Sequence, residues 1–333
     1  MRRNPVRHTL TRVAAEAGVS VSTVSKVLNG RTDVAPRTRE RIGRLLHSYG
    51  YQVAPGMQPG VVDLLIGSLH GPWASELIRG AVDAAREAAQ SIIVTMVSSP
   101  AEFTRWLERA ARRRTGGVLS VLYLPGPRER CRLAGARIPL VVVDSPTEPG
   151  GGIRSVGTTN WQGGMAATRH LAELGHRRIA AIAGPERYWS ANTRLDGYRA
   201  ALLHRGIPVD EALVGRGEFS AAGGRSQAHR LLALPEPPTA IVTGNDSQAF
   251  GVLQALGERG LRAPRDVSVV GFDDVIAAWA SPPLTTVRQP LAAMTAAGFR
   301  MLGAGAASTP AEPRHVELAT RLVVRDSTAP AQC

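Results

Sequence analysis

The chain has 333 residues, 44% of them hydrophobic and 20% charged, with a formal net charge of +13. A length of roughly two or three domains at about 100–200 residues each excludes a small stapled scaffold, and Cys131 and Cys333 are too few and too scattered for a disulfide or zinc framework. No apolar run reaches about 18 residues and no signal peptide precedes the first helical pattern, so a membrane span and export are excluded and the expected location is cytoplasmic.

The charge is uneven. Residues 1–50 carry ten Arg and Lys against three Asp and Glu, while the other 283 carry thirty against twenty-four. Positive charge gathered on a small N-terminal module predicts phosphate contacts and salt-sensitive binding. Lys26 is the only lysine, so part of the excess reflects a general preference for arginine.

Residues 9–29, TLTRVAAEAGVSVSTVSKVLN, contain two short helical patterns with a glycine between them. Leu10, Val13, Ala14 and Ala17 fall on one apolar helix face. Gly18 breaks that helix, Val19 can fold under the turn, and Ser20 suits the N-cap of a second helix in which Val24, Val27 and Leu28 share a side. Asn29-Gly30 offers a left-handed stop. Two helices joined by a tight glycine turn make a helix-turn-helix, whose second helix enters the DNA major groove N-terminus first. Val21 and Ser22 then meet base edges, and Thr23, Ser25 and Lys26 are placed for bases or phosphates. Pro36 starts a third helix over 36–49, where Ile42, Leu45, Leu46 and Tyr49 close a small three-helix core.

TLTRVAAEAGVSVSTVSKVLNG followed by RTRERIGRLLHSYGY resembles the head of the LacI/GalR family of transcriptional regulators. The resemblance implies that Val21 and Ser22 read bases, that Lys26 contacts a base or phosphate, and that Thr23, Ser25 and Asn29 take polar DNA-facing positions. After Gly50-Tyr51 the chain departs from that family, which continues with Pro-Asn and an Ala-Arg-x-Leu hinge helix whose leucine wedges into the minor groove. Here Pro55, Gly56, Pro59 and Gly60 are poor helix formers, and Gly60 stands at the wedge position. Residues 52–60 are expected to be a flexible linker after a head at 1–51, with weaker operator bending as the result.

From residue 61 apolar runs predict strands at 62–68, 91–97, 117–123, 139–143, 178–183, 239–243, 267–272 and 284–287, alternating with helical patterns at 74–89, 101–113, 161–174, 192–205, 221–234, 246–259 and 290–302. Such alternation implies parallel sheets covered on both faces. The predicted fold class is α/β, a small all-α helix-turn-helix head followed by two doubly wound parallel lobes. LGHRRIAAIAG, NTRLDGY, TAIVTGNDSQAFGVLQAL and DVSVVGFDD are similar to the effector core of the same family, itself similar to periplasmic sugar-binding proteins. The resemblance implies two lobes joined by three crossovers, a ligand between them, and a homodimer. The expected lobes are 61–157 plus 290–316 and 158–289 plus 317–326, with a tail at 327–333.

Ligands in open α/β sheets sit beyond the carboxyl ends of strands. Asp144 follows IPLVVV, Asn245-Asp246 follows TAIVTG, and Asp273-Asp274 follows VSVVGF. The resemblance assigns Arg194 to one side of the effector, Asn245 and Asp273 to the other lobe's grip, Phe219 to stacking, Gln289 to a further contact, and Trp73 to the N-terminal wall. Carboxylates, a guanidinium and an aromatic face suit vicinal sugar hydroxyls and the C–H face of a pyranose. Asp246 is expected to cap the following helix, leaving Asn245 for the ligand. Ser68, His70, Tyr188, Trp161 and Trp189 are weaker candidates, His176 is structural, and Arg112-Arg113-Arg114 ends a helix. Two carboxylates disfavour a phosphate, so a neutral mono- or oligosaccharide is expected over a sugar phosphate or nucleobase.

The expected function is a repressor on a pseudo-palindromic double-stranded operator, controlled by that effector. A sugar receptor without DNA regulation is the alternative, and the head argues against it. No Walker loop, G-x-S-x-G elbow, dinucleotide fingerprint or metal-spaced cluster occurs, so no catalytic residue, cofactor or metal is expected.

Overall fold

The computed structural model describes residues 5–28, 34–49, 60–67, 69, 71–113, 115–148, 150, 152–303 and 314–332. Asn29, the Asn29-Gly30 stop, linker residues 52–59, Ser68, His70 and Arg114 lie outside the described residues.

Three helices form the head: α1 (Pro5–Glu16), α2 (Val21–Leu28) and α3 (Pro36–Ser48). Val13, Ala14, Ala17, Val24, Val27, Ile42 and Leu46 are buried together, with Leu10, Val19, Leu28, Leu45 and Tyr49 packed against them. The i, i+3, i+4 spacing of these residues is what brings three short helices onto one small core.

The core then runs β1 (Val61–Ile66), α4 (Pro72–Glu87), β2 (Ser91–Met96), α5 (Pro100–Arg112), β3 (Gly117–Val121), α6 (Pro127–Gly135), β4 (Leu140–Val143), β5 (Ser155–Thr158), α7 (Asn160–Glu173), β6 (Ile179–Ala183), α8 (Trp189–His204), β7 (Val214–Arg216), α9 (Ala221–Leu231), β8 (Ala240–Thr243), α10 (Asp246–Glu258), β9 (Ser268–Asp273), β10 (Thr285–Arg288), α11 (Leu291–Gly303), β11 (His315–Leu318) and β12 (Arg321–Val323). Two six-stranded sheets result, in the orders β11-β5-β4-β3-β1-β2 and β12-β10-β9-β8-β6-β7. Every pairing is parallel except β10 with β12. Central strands such as β1, with Leu64, Leu65 and Ile66 buried, are apolar on both faces because helices cover both.

The chain crosses between sheets three times: after β5, after β10 and after β11. The crossings are tied together. Thr320 N–H donates to Thr159 Oγ1 at 2.8 Å, and Thr158 Oγ1 donates to Gln289 Oε1 at 2.8 Å. β5 and β11 end at Thr158 and Leu318, so the lobes divide one or two residues beyond the expected 157 and 316.

Helix α6 and strands β5, β7, β11 and β12 were not anticipated. Sequences such as SVGT and VGR are too short and too polar to signal a strand, and backbone pairing is what holds them, β5 between β11 and β4 and β7 at the edge beside β6. The segment after Asp326 corrects the expected free tail. Ser327 Oγ donates to Val269 O at 2.6 Å, Val269 N–H donates to Ser327 O at 2.8 Å, and Ala331 N–H donates to Leu174 O at 2.8 Å. Backbone pairing fixes this segment, and an apolar pattern does not report it.

Candidate functional site

The C-terminal ends of strands from both sheets face one another across a cavity of about 290 Å³. Trp73, in the first turn of α4, and Leu122 and Asp144, just past β3 and β4, line it from one lobe; Tyr188, Ser190, Arg194, Phe219, Asn245 and Asp273 line it from the other. Leu122, Asp144 and Asp273 have φ of 55°, 51° and 107°. Left-handed backbone is costly for residues other than glycine and concentrates where a ligand is gripped.

Arg194 is 8% exposed and is held by its own lobe. Its Nε donates to Asn160 Oδ1 at 2.8 Å, its Nη1 donates to Gly244 O at 2.6 Å, and its guanidinium lies 3.8 Å from the centre of the Phe272 ring. Nη1 also stands 3.7 Å from Asp273 Oδ1. Burial works against the guanidinium charge, and Asp273, Asp144 and Asp246 work for it. The approach of α8 depends on glycine. A Cβ on Gly164 of α7 would stand 2.1 Å from Arg194 O, so only glycine lets this part of α8 come so close.

Burial raises the Asp144 carboxyl above its ordinary range, with Arg194 pulling the other way. Burial also raises Asp273, opposed first by Arg194. Asp273 Oδ1 accepts from Gln289 Nε2 at 2.6 Å. Gln289 itself is 4% exposed and does not line the cavity, which corrects its expected direct contact. Both ends of its amide are consumed, by Asp273 and by Thr158.

Asn245 takes the capping role expected of Asp246 and keeps its expected place at the cavity. Asn245 is the N-cap of α10, its Oδ1 accepting from Gln248 N–H at 2.9 Å, and it still faces the cavity. Asp246 is fully buried, accepting from Thr286 Oγ1 at 2.6 Å and Val275 N–H at 3.0 Å. Asp274 turns away from the cavity, held by Arg288 at 2.5 Å and Arg325 at 2.7 Å. Phe219 stands over Gly184, where a Cβ would lie 2.1 Å from the ring, and its centroid is 5.9 Å from that of Tyr188. The lobes touch at the rim: Trp189 N–H donates to Pro146 O at 2.8 Å, and Val275 packs against the other lobe's core.

In the head, Ser20 Oγ accepts from Thr23 N–H at 3.2 Å and caps α2. Val24 and Val27 are buried, while Val21 is 42% exposed and Ser22 is exposed at the helix N-terminus. Thr23, Ser25 and Lys26 are half-buried along the same helix. Tyr49 Oη donates to Glu16 Oε1 at 2.5 Å, closing α3 onto α1.

Residues 9–53 match the description "Bacterial regulatory proteins, lacI family", and residues 168–328 match "Periplasmic binding protein-like domain". The chain is 30% identical over 338 residues to the HTH-type transcriptional regulator DegA of Bacillus subtilis, covering 98% of this chain and 99% of that one. The chain belongs to the LacI family of bacterial transcriptional regulators.

Solved relatives of this LacI-family regulator agree in shape. The CelR–cellobiose complex matches with a TM-score of 0.73 at 33% identity, over 98% of this chain and all of that one. A lac repressor dimer bound to operator and an anti-inducer matches with a TM-score of 0.71 at 28% identity, over 96% and 98%. As a member of this family the chain is a DNA-binding transcriptional regulator.

The structure brings Trp73, Asp144, Arg194, Phe219, Asn245 and Asp273 to one cavity and sets Gln289 behind it. Sequence reasoning missed Ser190, Ser220 and Ser247, which line the same cavity. Each lies in or next to the first turn of a helix that begins at a strand's carboxyl end, and that position was the available signal. His176 is structural as expected: its ring contacts Thr239 Oγ1, Ser268 Oγ and Ala329 O.

Proposed function

We propose that this regulator is a homodimeric repressor that reads a pseudo-palindromic operator through Val21, Ser22, Thr23, Ser25, Lys26 and Asn29, and that a neutral mono- or oligosaccharide in the cleft controls its affinity for that operator. The observation that carries the sugar assignment is Arg194, anchored by Asn160 and Gly244 between two carboxylates and beside Phe219. A bidentate donor, two acceptors and a flat aromatic face match a ring with neighbouring hydroxyls. Arg194 is the cation among the described cavity residues, and it is already shared by Asn160, Gly244 and Asp273, which argues against a sugar phosphate. The cellobiose bound to CelR supports the same class of ligand.

The reading assigns the cleft to binding and not to catalysis, because Asp274, the neighbour that could pair with Asp273, is committed to Arg288 and Arg325. The lobes would close on the effector and alter the spacing of two heads, a coupling that requires the effector to prefer one state.

A thermal-shift screen of the full-length protein against neutral sugars and sugar phosphates tests the ligand. A mobility-shift assay on the gene's own upstream DNA tests the reader. A melting rise with a neutral sugar, loss of that rise in Arg194→Ala, and altered operator preference in a Val21/Ser22 double substitution are expected. Binding by sugar phosphates alone would overturn the ligand class.

A further inference from the structure

The end of the core nearest the head carries a group of arginines without carboxylate partners among the described residues. In the N-terminal lobe every strand carboxyl end points to the cleft, so the opposite end, its base, holds the starts of β1, β3 and β4 and the C-termini of α4, α5, α6 and α11. Arg109 and Arg112 close α5, Arg137 follows α6, and Arg300 lies in the last turn of α11. All four are exposed, and none has a carboxylate partner among the described residues. Of the carboxylates at this end, Asp63 is taken by Arg113 and Asp83 by Arg86, leaving Glu87 and Glu108.

A helix C-terminus attracts a cation on its own account. The far end of the other lobe makes the comparison, because α7, α8, α9 and α10 all end there. Some of its arginines are neutralised, Arg178 by Asp210 at 3.4 Å, Arg265 by Asp266 at 2.8 Å and Arg205 by Glu173, while Arg177, Arg259 and Arg262 form no ion pair among the described residues. Helix dipoles are the same at both ends, and unpaired guanidiniums occur at both, so what sets the base apart is its place beside the head.

The base is also the end at which the chain arrives from the head, at Gly60-Val61. Eleven covalent links separate Tyr49 from Gly60, and even fully extended they span no more than about 40 Å. A duplex gripped by the head therefore passes within reach of this surface.

We infer that the base of the N-terminal lobe is a second, sequence-independent DNA contact, in which Arg109, Arg112, Arg137 and Arg300 hold backbone phosphates beside the site read by α2. The inference rests on the proposal that the head binds duplex DNA. Guanidiniums pair with phosphate oxygens bidentately, and each phosphate neutralised releases counterions and steepens the dependence on salt.

The test uses full-length protein and fluorescence anisotropy with an arbitrary-sequence duplex of about 40 base pairs over a salt series. Arg112→Ala/Arg137→Ala removes two base charges, and Arg177→Ala/Arg262→Ala removes the same charge from the far end. The base variant is expected to flatten the log–log slope by about 0.9 per lost contact, about 2 per chain, and the far-end variant to leave it unchanged. Equal slopes in the base variant and the wild type, or equal flattening in both variants, would overturn the inference. Arg109→Ala/Arg300→Ala repeats the test should the first pair lower the melting temperature. Failure of the wild type to prefer its upstream DNA over the arbitrary duplex would instead sink the operator reading, and would leave this slope measurable.

Discussion

Single side chains in this molecule are set by what surrounds them more than by their type. Asp144 and Asp273 are held toward their protonated forms by burial, Asp274 is paired with two arginines, and Asp63 sits fully buried on Trp106, Arg113 and Thr115. The cleft pair gives a pH prediction. Sugar hydroxyls donating to Asp144 and Asp273 favour the ionised carboxylates, so binding should release protons and strengthen as pH rises from about 5 to 8. Calorimetry in two buffers of different ionisation enthalpy measures that release, and Asp273→Asn should reduce it. Stability without effector runs the other way. A carboxylate whose folded pKa is raised contributes stability that is present below its unfolded value near 4 and lost as pH climbs through the folded one. Asp63→Ala strands the Trp106 indole N–H and frees a guanidinium that is 30% exposed, and should lower stability by about 2–3 kcal/mol in thermal denaturation. Arg194→Ala should weaken the effector by about 2 kcal/mol or more, some thirtyfold in calorimetry.

At the scale of elements, what could be read in advance divides by physical cause. The head was legible because its three short helices each carry a full apolar stripe, from Leu10 to Tyr49. The long buried strands were legible because β1 and β9 are apolar on both faces. The short strands β5, β7, β11 and β12 and the docking of Ser327 were not, since main-chain pairing leaves no hydropathy signal. The cavity residues were legible through strand ends and family motifs. The capping of α10 by Asn245 in place of Asp246 was not, because either side chain can cap a helix, and only Thr286 and Val275, far along the chain, decide which one turns inward. Helix pairing adds a prediction. Gly164 lets α7 meet the backbone of α8 at Arg194, where the carbonyl has nowhere to retreat. Gly164→Ala should cost about 3 kcal/mol of stability and shift Arg194, so melting temperature and effector affinity should fall together.

For the whole molecule, the open question of mechanism is how a lobe movement reaches the heads. Pro55, Gly56, Pro59 and Gly60 make a folded hinge helix with a wedging leucine the poorer proposal for this chain, and a circular-permutation gel assay should show less operator bending than a hinge-leucine repressor produces. The crossings would move as one, because Thr159 bonds Thr320 while its chain neighbour Thr158 bonds Gln289, and Gln289 also holds Asp273 at the cleft. The rim contact between Trp189 N–H and Pro146 O is made by main-chain atoms alone. No replacement short of proline at 189 deletes that donor. The clasp between the halves is therefore shielded from mutational drift, and on the proposed function descendants of this gene could exchange Trp73, Phe219 or Tyr188 to suit a new effector without losing that clasp.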